Sequence, residues 1–137
     1  MRFYRSISLM LMILFAATGI IFLSIPDRVL ILFNTLSGVL GTQRAPLDGW
    51  SFYLILAVGY MYLVSILAFL MYKRPENRYF PLLLTHAKLA SSVLSLALFL
   101  LYANYLIYLA NFVVDGVIGS VVLVLYLKTR RTVWVSN

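Results

Sequence analysis

The chain has 137 residues, of which 64 % are hydrophobic and only 11 % charged, with a formal net charge of +7. That length is short for more than one domain, and the composition is far more apolar than that of a soluble globular protein. Basic residues cluster at the ends of apolar runs instead of forming a patch for a nucleic-acid groove, and the lack of cysteine excludes disulfides and thiolate metal or redox sites within this chain.

Arg2 and Arg5 precede an apolar run from Ser6 to Ile25, close to the ~20 residues that cross hydrocarbon. The apolar region of a signal peptide is shorter, roughly 7–15 residues. The chain begins at Met1, and a retained first transmembrane helix is expected. Pro26 to Trp50 is the one sizeable connection. Ser24-Ile25-Pro26-Asp27 has the character of a helix start: a serine cap, proline in the first turn and an acid at the positive end of the dipole. Val29, Leu32, Phe33, Leu36 and Leu40 share one face, and Gly41 is a natural stop. Too short to span and interrupted by Asp27, Arg28, Asn34 and Thr35, this segment is expected to lie in the outer interface, with Leu32, Phe33 and Leu36 buried. Packing as a lid over the mouth of the bundle is a compatible reading. Gly41 to Gly49, with Pro46, reads as loop.

Trp50, Phe52 and Tyr53 form an aromatic belt before the second span, 51–72. A basic turn, Lys73-Arg74-Pro75-Glu76-Asn77-Arg78, leads to the third span, 81–103, with Pro81 in its first turn. Asn104 alone separates this from the fourth span, 105–127, so the two are expected to form an antiparallel hairpin. Trp134 in the tail has the character of an interfacial anchor. Arg2, Arg5, Lys73, Arg74, Arg78, Lys128, Arg130 and Arg131 flank the spans on one side, against Arg28 and Arg44 on the other. The positive-inside rule then puts both termini in the cytoplasm. We read an all-α integral membrane protein of a prokaryotic cytoplasmic membrane. It is one transmembrane domain, 1–137, with four helices in an up-down bundle and one short extracytoplasmic helix.

Asp115 lies near the middle of the last span, where an acid costs about 2.5–3.5 kcal/mol to insert. Counted inward from the cytoplasmic ends at about 1.5 Å per residue, Thr18, Tyr60 and Ser92 reach similar depth. Thr85, Lys88, Ser92 and Ser95 form a stripe on the third span, with Ser91 beside it. Tyr108, Asn111, Asp115 and Gly119 form another on the fourth. Small residues at four-residue spacing (Ala87, Ser91, Ser95; Gly116, Ser120) allow close helix approach. The candidate buried polar site is therefore Asp115, Asn111, Lys88, Ser92, Ser95, Tyr60, Thr18 and Tyr108. In a hairpin turning at Asn104, Lys88 and Asp115 are offset by about 7.5 Å along the axis and lean apart. A direct salt bridge is therefore strained, though a long lysine side chain or a water could close the gap; Lys88 is expected to snorkel to the cytoplasmic interface, and Asp115 to be neutral or hydrogen-bonded rather than ion-paired. The seam reads equally as a proton-, ion- or ligand-handling site and as polar glue between helices.

His86, the only histidine, lies on the opposite side of its span from Lys88, and a bis-histidine haem would need a second. One histidine, no cysteine and few acids leave little catalytic equipment; no enzyme, metal or cofactor is expected. Helix count and the Pro26-initiated outer segment resemble several families of small four-helix membrane proteins, the DoxX-like group among them, but no motif accompanies the resemblance and it implies no function. The leading expectation is a non-catalytic subunit or accessory protein, with the lipid bilayer, other membrane subunits or a second copy as partners and no nucleic acid. The alternative is a transporter or ligand-binding module built around Asp115. A deep polar cavity reaching Asp115 from one side favours the latter; a dry, filled core with large apolar outer patches favours the former.

Overall fold

The computed structural model describes residues 2–48 and 51–133, the side chains of 51, 52 and 130–133 excepted. Five helices account for the described chain: α1 (Arg2–Ser24), α2 (Pro26–Leu40), α3 (Ser51–Lys73), α4 (Tyr79–Leu101) and α5 (Leu106–Val133). All but α2 are long and apolar enough to cross a membrane, which marks an integral membrane protein. The belt residues Trp50 and Phe52 and the anchor Trp134 lie outside the described residues and side chains.

The helix ends show which local signals operate. Pro26 opens α2 and Asp27 lies in its first turn. Gly41 ends it in the left-handed conformation (φ 67°) and donates its N–H to the carbonyl of Ser37. Ser24 does not cap α2; Ile25 is the cap residue and makes no side-chain cap bond. The reason is continuity: α1 runs through Ser24, and the amide of Ile25 still bonds to Ile21 O. Similarly, α1 starts at Arg2 and α5 continues past Leu127 to Val133. Arginine and lysine are good helix formers, so the backbone need not stop where the apolar run stops. The connection from α4 to α5 is longer than Asn104 alone, because α4 ends at Leu101 and Tyr102 and Ala103 both donate to Leu98 O.

The long helices pack as two pairs, α1 along α3 and α4 along α5, with a narrower α3–α4 contact between the pairs. Within α4–α5 the register is antiparallel, since Leu89 lies against Gly119, Ser92 against Gly116 and Ser95 against Asn111. A Cβ on Gly119 would stand 2.8 Å from Leu89 Cδ2 and 3.3 Å from its backbone nitrogen, so glycine is what lets these helices close. Gly19 does the same for α1 and α3, where an added Cβ would lie 3.1 Å from Met61 Cβ.

The core is asymmetric along the bundle. Tyr4, Leu11 and Phe15 of α1, Val64, Ala68 and Met71 of α3, Leu84 of α4, and Val122 and Leu125 of α5 form one buried cluster. Most belong to the half that holds the start of α1 and the ends of α3 and α5; Phe15 lies just past the middle of α1, where the cluster borders the other half, and Leu106 is buried at the start of α5. At the other end α2 packs against α5 and α1, as a lid does. Asn34 anchors the loop that follows: its amide accepts from Ala45 N–H and donates to Ala45 O, both at 2.8 Å. The Gln43 N–H in turn donates to Asn104 O, joining this loop to the α4–α5 turn. The packed face of α2 is consequently Val29, Leu30, Phe33, Asn34 and Ser37. Of the residues expected to be buried, Phe33 is half-buried, whereas Leu32 and Leu36 are exposed. The Asn34 bonds turn the helix so that the leucine stripe faces away from the protein.

Candidate functional site

Lys88 occupies the third turn of α4 and is 1 % exposed; Asp115, in the first half of α5, is 2 % exposed. Lys88 Nζ donates to Asp115 Oδ1 at 2.8 Å. The ammonium also lies 4.6 Å from the ring centroid of Phe15 on α1 and 4.9 Å from that of Tyr60 on α3. One lysine head thus touches all the other long helices. This overturns the expected snorkelling of Lys88 and the expectation that Asp115 is not ion-paired; Asp115 is hydrogen-bonded, but to a cation. Leu84, one turn nearer the start of α4, is buried in the apolar cluster, and the flexible four-carbon stem of Lys88 is long enough to close the axial gap to Asp115.

Burying either charge alone costs several kcal/mol, and the mutual attraction offsets this only with good geometry and further partners. Here a short charge-assisted hydrogen bond is reinforced by two aromatic faces, each worth about 2 kcal/mol when desolvated. Buried pairs of this kind add little net stability, yet removing either partner is costly.

The remaining seam residues divide into two groups. Asn111 Nδ2 donates to Ser95 Oγ (2.6 Å) and Ser91 Oγ (3.1 Å), and Ser92 Oγ donates to Phe112 O (2.8 Å). These bonds tie α4 to α5. Tyr60 OH donates to Ala87 O at 3.0 Å, tying α3 to α4, while its ring serves Lys88. Thr18 Oγ1 is satisfied by Leu14 O on its own helix at 2.8 Å. Tyr108 does not join the pair; its ring packs on Tyr105 with centroids 5.5 Å apart. His86 is exposed, its Nδ1 at 2.8 Å from Leu82 O.

Above the pair the bundle is open. A cleft of about 230 Å³ lies between α1 and α5, roofed by Val29 and Phe33 of α2. Its walls are largely apolar, with Phe15, Phe22, Met61, Ile107 and Val114 prominent, and Thr18, Lys88, Asn111 and Asp115 supply its polar groups. Asp115 Oδ2 is buried without a hydrogen-bond partner. Val29 and Phe33 lie on the apolar α2 face that the lid reading turned toward the bundle. The contribution of Phe15 is not marked in the sequence: it is one more apolar residue in an apolar run, and only the lysine opposite could have drawn notice to it. Comparison adds no relative: no family model, characterised protein or solved structure matches the chain.

Proposed function

We propose that this chain is a membrane-embedded binding module that holds a small, mostly apolar molecule in the cleft above Lys88 and Asp115. The observation that supports it is the asymmetry of the bundle, filled on one side of the ion pair and open on the other. Polar glue alone needs no cavity, and largely apolar pockets with a few convergent polar groups are the usual form of small-molecule sites. In this reading both termini are cytoplasmic, α2 is extracytoplasmic, and the ligand enters from the outer half of the bilayer. The filled half below the pair leaves no through path, which favours binding over translocation.

The test is purification in mild detergent followed by extraction and mass spectrometry of bound small molecules. Ala110 lines the cleft, and Ala110→Phe fills part of it. A molecule retained by the wild type and lost from Ala110→Phe supports the proposal; no retained molecule, or equal retention, contradicts it. The accessory-subunit reading would be favoured instead by a stoichiometric protein partner that co-purifies with an empty cleft.

A further inference from the structure

An inventory of donors and acceptors around the cleft narrows the ligand. Thr18 spends its hydroxyl proton on Leu14 O. Asn111 spends both Nδ2 hydrogens on Ser91 and Ser95. Lys88 directs one N–H at Asp115 Oδ1, and its ammonium is otherwise faced by the rings of Phe15 and Tyr60. What remain at the floor are acceptors, the Asn111 Oδ1 left over from its two Nδ2 bonds and the charged Asp115 Oδ2, buried and without a partner, while the other two Lys88 N–H bonds face the rings. An ionised carboxylate only accepts, so a molecule that completes it must donate.

Charge narrows the choice again. Lys88 already neutralises Asp115, so the cleft floor carries no net charge. A second cation there would stand close to the Lys88 ammonium in a low dielectric, and an anion close to the Asp115 carboxylate. A neutral donor meets neither penalty. Size follows from volume: a cavity of about 150 Å³ accepts benzene, so 230 Å³ suits a molecule of roughly ten non-hydrogen atoms or the end of a longer chain.

Resting on the binding-module reading, we infer that the cleft selects an uncharged amphiphile with a hydroxyl head and an apolar tail, the hydroxyl donating to Asp115 Oδ2. The tail lies among Val114, Ile107, Phe22 and the roof residues Val29 and Phe33. Asp115 is then the specificity-determining residue, and Lys88 holds its carboxylate in place.

The experiment uses the full chain in lipid nanodiscs with a photoreactive 1-nonanol carrying a diazirine in its tail, and locates labelled peptides by mass spectrometry. Competitors are 1-nonanol, its isomer methyl octyl ether (which has no donor), nonylammonium and nonanoate. A hydrogen bond to a charged group corresponds to roughly a 10-fold or greater preference, so nonanol should out-compete the other three by about that factor. In the double variant Lys88→Met with Asp115→Leu, which leaves the Asn111 oxygen as the one acceptor of the floor, most of the preference for nonanol over the ether should be lost. Equal competition by nonanol and the ether in the wild type would overturn the hydroxyl inference while leaving the binding module intact. Strongest competition by nonylammonium or nonanoate would overturn it too, showing that a charged head is selected. No labelling of residues around the cleft would overturn the binding-module reading itself.

Discussion

Lys88 Nζ meets Asp115 Oδ1 at 2.8 Å although the α4–α5 register sets their backbones on different levels of the bundle. Leu89 faces Gly119 and Ser92 faces Gly116, so Asp115 lies nearer the α4–α5 turn than the residues directly across from Lys88. The lysine reaches it along the seam, where Gly116 presents no side chain. Phe15 and Tyr60 then enclose the ammonium from α1 and α3. The pair therefore acts as the point where the two helix pairs are referred to each other.

Close packing beside the pair predicts an ordered glycine series. Gly119→Ala should destabilise by about 1–3 kcal/mol, since its Cβ would press on Leu89 Cδ2 and on Leu89 backbone. Gly116→Ala should cost a similar or smaller amount, because the atom it meets is Ser92 Oγ at 2.9 Å. Adding Ser92→Ala should recover part of that loss. Gly59→Ala meets nothing within 4 Å and should be neutral or slightly stabilising. Thermal unfolding of the four variants in one detergent checks the order; a costly Gly59→Ala with a harmless Gly119→Ala would contradict this packing.

The loop after α2 offers a second test. Asn34 holds both backbone groups of Ala45, so Asn34→Leu leaves that amide and carbonyl without side-chain partners. Net loss should be about 1–3 kcal/mol locally for two hydrogen bonds. Hydrogen exchange should quicken across residues 41–48 with α3 to α5 unaffected. Unchanged protection there would mean that the loop is held by other contacts.

Much of this architecture was legible in the chain itself. Pro26 and Gly41 bracket α2 as their backbone preferences require, and the two polar stripes on α4 and α5 do face each other. The hairpin register was legible too: a turn at Asn104 sets Asp115 opposite Val93 and Lys88 opposite Ser120, the same register that puts Leu89 against Gly119 and Ser92 against Gly116. Lys88 was misread because axial level and side-chain lean describe a short side chain better than a long one. Its partners Phe15 and Tyr60 come from helices whose phase relative to α4 no local pattern reveals. Leu32 and Leu36 face away from the protein, so their expected burial in the outer interface is a matter of lipid, which an apolar stripe does not distinguish from protein. The cleft itself is a gap between helices distant in sequence, and no residue type signals it.

Orientation is testable independently of the site. With eight flanking basic residues on the side of the termini and two beside α2, a reporter fused after Asn137 should be cytoplasmic. One inserted near Gln43 should be extracytoplasmic. The same compartment for both would contradict a four-span arrangement.

Lys88 and Asp115 form one buried unit, and a double-mutant cycle measures their coupling. Lys88→Met leaves a buried carboxylate unpaired and Asp115→Leu leaves a buried ammonium unpaired; each should cost about 3–5 kcal/mol. Replacing both with apolar residues of similar size removes both desolvation penalties, so the double variant should be far more stable than the sum of the single losses implies. A coupling energy of about 2 kcal/mol or more, from unfolding of all four proteins in the same detergent, is the predicted result. Additive losses, or a Lys88→Met variant as stable as the wild type, would contradict the pair.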